Sequence, residues 1–346
     1  MKPEDKTRSK ETYDFLNKVG CGFCLAKWTQ VTIHLSSGIT HSCHHVGAHK
    51  IPLDELAKDP GALHNTSEKK LRRKEMLAGK RPDECDYCWR IEDNTNEYSD
   101  RILKSANSWS QVDKDKIATS TGDENFYPRA VEISFSNVCN FKCSYCGPEN
   151  SSMWVEEVEQ HGPYPTYYTK KPLDRIKAVM IPNREVNPYI NAFWKWWDEG
   201  LAEHLQRLTI TGGEPLLSKH TWKVLDKVIA QNLNLVLNIN TNLCVPEKLF
   251  NDFKEEYYMN LLTTYATLKA GKEMKQESDN KSTLVDALLE INRLRDIISE
   301  FKAPVIPLTV QLTQNELDYR ELSDQEKEEY DMRAKNVLKS FILRAN

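Results

Sequence analysis

Three stretches in the middle of the chain, AVEISFSN (130–137), RLTITGGEP (207–215) and NLVLNINTN (234–242), alternate between an apolar and a small polar side. In the first, Val131, Ile133 and Phe135 share one face while Glu132, Ser134 and Ser136 share the other, the two-residue period of a strand. Leu208 and Ile210 likewise oppose Thr209 and Thr211, and Leu235, Leu237 and Ile239 oppose Asn238, Asn240 and Asn242. A parallel strand buried on both faces reads as an unbroken apolar run, so this polar face needs a reason. Either the sheet is antiparallel with one wet face, or it is parallel and the polar face lines an open barrel. The helical stretch HTWKVLDKVIAQ (220–231) between the second and third strands favours parallel crossovers and the barrel. The expected fold is α/β: a partial (βα) barrel over 129–346, preceded by a small cysteine-rich α+β domain over 1–105. Residues 106–128 are polar, poor in aliphatics, and read as a linker.

Each strand ends in a loop suited to a ligand, and in α/β barrels the carboxyl ends of the strands carry the chemistry. The first runs into NVCNFKCSYCGPEN (137–150), with three cysteines at intervals of four and three. The second ends in TGGEP, where Gly212 and Gly213 expose backbone to a close-approaching group and Glu214 offers a carboxylate. The third ends in NTN. Three thiols suit neither a structural zinc, which takes four ligands, nor a disulfide framework, which takes an even number.

Composition narrows the field. The chain has 346 residues, 39% hydrophobic and 28% charged, with a formal net charge of −4, so it carries no basic footprint for nucleic acid. The N-terminal MKPEDKTRSKETYDF is charged without an apolar core, and the expectation is neither a signal nor a transit peptide. No apolar run approaches the roughly 18 residues of a membrane helix. The expected location is the cytoplasm, where the nine cysteines stay reduced and clustered ones point to metal or iron–sulfur ligation. Cys244, standing alone, reads as a buried apolar filler.

Cys139, Cys143 and Cys146, spaced C-x3-C-x2-C after a first strand and followed by G-G-E-P after a second, resemble the radical S-adenosylmethionine (SAM) superfamily. The resemblance implies a [4Fe–4S] cluster on these three thiolates, its fourth iron open to the amino and carboxylate groups of SAM. Reductive cleavage then gives a 5′-deoxyadenosyl radical that removes a hydrogen atom from substrate. It implies SAM contacts from Tyr145, beside the adenine, and from Gly212, Gly213, Glu214 and Pro215, with Glu214 accepting from the methionine amino group. Asn240 and Asn242 at the third strand end join them, although Leu243 stands where the family usually has glycine. A flavodoxin or ferredoxin reductant and a peptide or small-molecule substrate are the implied partners.

Cys21-x2-Cys24 and Cys85-x2-Cys88 invite a zinc ribbon, but their separation of about sixty residues exceeds the usual gap and leaves Cys43 over. Cys24, Gly38, Cys43 and the RPDECDYCWRIED motif (81–93) instead resemble the SPASM and twitch domains of radical SAM enzymes. That resemblance implies a second, auxiliary [4Fe–4S] cluster on Cys24, Cys43, Cys85 and Cys88, placed before the barrel rather than after it. Zinc remains the alternative, with His41, His44 and His45 as nearby donors or as solvated surface groups. In the insertion HGPYPT…IPNREVNPYINAFWKWW (161–197) the expectation is a helix packed on the barrel. Beyond about residue 250 the resemblance fades, with a poor echo of a fourth strand at YATLKAGKE (265–273). A helix is expected over 282–300, a strand at APVIPLTVQLT (303–313) and a terminal helix at 322–342. The expected activity is radical SAM modification of a peptide or protein side chain. A degenerate, non-catalytic iron–sulfur protein and a zinc-binding interaction module are the alternatives.

Overall fold

The structure, a computed structural model, describes residues 3–162, 180–183, 185–242 and 244–252. The expected elements at 265–273, 282–300, 303–313 and 322–342 lie outside the described residues. Within them, six strands form one sheet in the order β3-β2-β1-β4-β5-β6. They are β1 (Gln30–His34), β2 (Ile39–His41), β3 (His49–Lys50), β4 (Ala130–Ser134), β5 (Arg207–Thr211) and β6 (Val236–Ile239). The strands β1, β4, β5 and β6 run parallel, and β2 and β3 continue from β1 as antiparallel hairpins. The parallel reading of the alternating strands therefore holds, and their carboxyl ends share one rim.

The helices follow from local chemistry. Ser218 caps Lys219–Ala230, its hydroxyl accepting from the His220 N–H, and Thr221, Val224, Leu225 and Val228 are buried at helical spacing. Asn187 caps Pro188–Trp196 through the Tyr189 and Ile190 N–H groups, and proline occupies the first helical position, where no N–H is needed. That helix packs as expected. Tyr189, Phe193, Trp194 and Trp196 enter the main core with Val131, Ile133, Leu208 and Ile210 from the apolar face of the sheet.

The expected boundary near residue 105 is not a boundary of the sheet. Strand β1 hydrogen-bonds along the full length of β4, and Val31, Ile33, Leu35 and Leu63 lie in the same core as Val131, Ile133, Leu208 and Ile210. The N-terminal segment thus supplies a fourth parallel strand, because its own apolar alternation needs a partner sheet. A second core joins Leu16, Phe23, Leu25, Trp28 and Met76 to Ile117 and Phe126. The stretch expected as a linker is accordingly helical at Ser108–Gln111 and Lys114–Ala118, and Ala106, Ile117 and Phe126 are buried, while Val112 is exposed. No helix among the described residues is long and apolar enough to cross a membrane.

The polar face of the sheet is organised by register. His41, Thr32, Glu132, Thr209 and Asn238 form one row across five strands, and His34, Ser134 and Thr211 part of the next row towards the rim.

Candidate metal centres

The loop of Cys139, Cys143 and Cys146 is braced by the helix that follows it, Ser152–His161. The Ser152 hydroxyl accepts from the Cys139 N–H at 3.1 Å, and the Ser152 N–H donates to the Asn137 carbonyl at 2.8 Å. Ser151 donates to the Phe141 carbonyl at 2.6 Å, and the Trp154 indole donates to the Cys143 carbonyl at 2.9 Å. A turn from the Cys146 N–H to the Cys143 carbonyl (2.9 Å) closes the last interval. All three thiols are half-buried. Burial, opposed by the Phe141 N–H, raises Cys139, and burial together with Cys143 and Cys139 pushes Cys146 up to about 11. Any metal these thiols hold must displace their protons. Ser151, Ser152 and Trp154 escaped the sequence reading, although Ser-Ser ahead of a helix is a capping signal.

The TGGEP loop is pressed onto this cysteine loop. The Gly213 N–H donates to the Ser136 carbonyl at 3.1 Å, and the Glu214 N–H to the Val138 carbonyl at 2.7 Å. A Cβ on Gly213 would stand 2.0 Å from the Val138 carbonyl oxygen, and one on Gly212, at φ +124°, 2.7 Å from that of Ser136. The glycines are thus required by contact between two strand-end loops, beyond any ligand they face.

Glu214 is 1% exposed. Its carboxylate accepts from the Leu216 N–H (3.0 Å), the Thr241 hydroxyl (2.5 Å) and the Asn242 N–H (2.7 Å). Burial raises its carboxyl, and these three donors pull it back. The residue expected to accept from a ligand amine ties the second strand end to the third. Asn242 donates its side-chain amide to Asn140 at 3.0 Å and accepts from the Cys244 N–H at 2.8 Å, while Asn140 donates to the Cys244 carbonyl. Cys244 is half-buried at this junction, not the buried filler expected from its isolation. Pro215 is buried at the start of the turn Pro215–Leu217. Asn240 is exposed, with its backbone N–H on the Ile210 carbonyl. Tyr145 is 70% exposed, so local packing does not account for it.

The other cysteines converge from three separate segments. Cys24, Cys43, Cys85 and Cys88 line one cavity, open to solvent, together with His45, Asp100, Arg101 and Lys104. Cys21 is exposed, its thiol donating to the Gly79 carbonyl. Burial raises Cys24, pushes Cys85 up to about 12, and pushes Cys88 up to about 11. Lys104 donates to the Cys43 sulfur at 3.4 Å and pairs with Asp100 at 3.3 Å, while buried Arg101 pairs with Glu92 at 2.7 Å. Of the three histidines beside Cys43, His44 is exposed. His41 Nδ1 lies 2.8 Å from the Cys43 carbonyl, and His45 Nε2 2.8 Å from Asp100. The donor sets suit iron–sulfur ligation in kind: three thiols with one position left over at the rim, and four thiols around a cavity.

The chain is similar to GTP 3',8-cyclases. It is 26% identical to that of Helicobacter pylori (strain HPAG1) over 156 residues, 44% of this chain and 40% of the relative. Against the enzyme of Aliarcobacter butzleri (strain RM4018) it is 24% identical over 178 residues, 51% and 46% of the two chains. With that of Sulfurimonas denitrificans (strain ATCC 33889 / DSM 1251) it shares 25% identity over 200 residues, 57% and 53%. The chain thus spans about half the length of the curated relatives it matches. No family model matches it, and no solved structure does so significantly.

Proposed function

From the radical SAM superfamily, which the matched cyclases support for this chain, we propose an enzyme that cleaves SAM reductively and directs the radical at a peptide or protein side chain. Cys139, Cys143 and Cys146 would hold a [4Fe–4S] cluster, and Cys24, Cys43, Cys85 and Cys88 an auxiliary one. When bound, the first cluster with SAM supplies one-electron cleavage to the 5′-deoxyadenosyl radical. The chain's own contribution is positioning and the exclusion of water. The observation that carries the reading is the interlock of three strand-end loops. Gly213 and Glu214 hold the cysteine loop by its backbone, and Asn242 holds it through Asn140. The sheet of parallel strands with a polar face agrees with a partial barrel open on that side. A flavodoxin or ferredoxin is the proposed reductant.

The test is anaerobic iron and sulfide analysis after reconstitution, expected to give about eight irons per chain, four for each cluster. About four irons would remove one cluster, and none would remove the proposal. A zinc ion is the second reading for the N-terminal cavity alone. It is favoured by one observation, that the donor atoms of Cys43, His45 and Asp100 lie within 4.8 Å of one another. Zinc in the purified protein, surviving iron reconstitution, would favour it.

A further inference from the structure

We propose that Glu132 and Thr32 form the floor of a ligand site that takes a planar pair of N–H donors, the edge shared by an arginine side chain and a guanine base. Both residues stand in the middle of the polar row that crosses the sheet, paired in register on β4 and β1. Thr32 is 2% exposed, and among the described residues its hydroxyl has no hydrogen-bond partner. Among the described residues, the nearest partner of the Glu132 carboxylate is His44 Nε2 at 3.9 Å, beyond hydrogen-bond length. A buried hydroxyl and a half-buried carboxylate, side by side and both unmet, are costly unless something else satisfies them.

The neighbours are committed elsewhere. Thr209 accepts from the Asn238 amide at 3.3 Å, His41 faces the Cys43 carbonyl, and Lys104 is held by Cys43 and Asp100. Both oxygens of Glu132 are therefore open to a fork of two parallel N–H donors, the geometry in which a carboxylate binds most selectively. Burial raises the Glu132 carboxyl above its usual range, and a donor pair reverses that by satisfying the charged form. Ser134, two residues on and one row nearer the rim, borders the Gly212 turn: its hydroxyl oxygen is 2.8 Å from where a Gly212 Cβ would stand. A ligand on Glu132 would thus begin about 6.6 Å below the rim of the candidate cofactor site.

The inference rests on the proposed function only in setting that ligand beside a radical; binding itself does not require it. The test is calorimetric titration of the metal-loaded full chain with two matched pairs of probes. Nα-acetylarginine amide is set against Nα-acetyllysine amide, which keeps the charge without the planar fork, and GTP against inosine triphosphate, which lacks the exocyclic amine. One guanidine-type probe should bind at least tenfold tighter than its match, and which pair does so separates a peptide source from a nucleotide source. Glu132→Gln should weaken that probe at least tenfold, and Thr32→Val at least threefold, with melting temperatures near that of the parent. No binding by either guanidine-type probe, no discrimination within both pairs, or parental affinity in Glu132→Gln would overturn the assignment. 5′-Deoxyadenosine measured on the same samples keeps the two readings apart. Its absence with discrimination intact counts against the activity alone, and its presence without discrimination against the ligand alone.

Discussion

The Glu214 carboxylate meets three donors at once, and an amide in its place turns one accepting oxygen into a donor. Glu214→Gln should cost about 1–3 kcal/mol, the range for a buried polar group left unmet, read as a lower denaturant midpoint. A variant as stable as the parent would show that this carboxylate is free to serve a ligand instead. Cys143→Ala should lose the iron bound at the rim, because two thiolates and a vacancy hold a cluster poorly. Iron content unchanged in that variant would argue against the ligand set. At this scale the sequence was legible wherever spacing carried the signal. The three rim cysteines stood out by their intervals, whereas the choice of Cys24 over Cys21 came from the resemblance to twitch domains; the structure brings Cys24 to the cavity with Cys43, Cys85 and Cys88. The engagement of Glu214 with Thr241 and Asn242 was not legible, since partners 27 and 28 residues away leave no local pattern.

Among the elements, the turn at Gly213 couples β5 to the cysteine loop most tightly. Gly213→Ala puts a methyl group 2.0 Å from the Val138 carbonyl oxygen, so one of the two loops must move. A backbone shift of this kind costs about 2 kcal/mol, and cluster occupancy at the rim should fall together with stability. Full iron occupancy in that variant would mean the loops are independent. The elements beneath the hairpins should set an acid limit. His49 lies 2.9 Å from the Thr66 hydroxyl, and burial, aided by Lys69, pushes it down to about 4. His64, fully buried beside Arg73, is held well below its ordinary value by burial first and then by Arg73 and Lys69. Folding therefore favours both rings neutral. Their contribution is full above the unfolded value near 6.5 and is lost on the acid side, for His49 as pH falls through about 4. The unfolding free energy from denaturant titration should drop between pH 6.5 and 4.5 by an amount on the order of 1–3 kcal/mol, and His49→Gln should flatten part of that slope. Strands β4, β5 and β6 and the helix Lys219–Ala230 were legible because their periods are local. That β1 completes the same sheet was not, because pairing across a hundred residues is decided by the core both strands share.

At the scale of the whole molecule, one thiol site follows the carboxyl end of β4, and the other gathers Cys24, ahead of β1, with Cys43, just after β2. Their ligands come from different segments, so they should fill independently. The triple variant lacking Cys139, Cys143 and Cys146 should keep about four irons in the N-terminal cavity. Loss of all iron there would make assembly cooperative and the two sites one unit. The central claim is that the interlocked rim makes a radical from SAM, and its most direct measurement is 5′-deoxyadenosine formed by the reconstituted protein with SAM and a strong reductant under anaerobic conditions. The account predicts formation by the parent chain and none by Cys143→Ala; no product from iron-replete parent protein, or equal product from the variant, would contradict it.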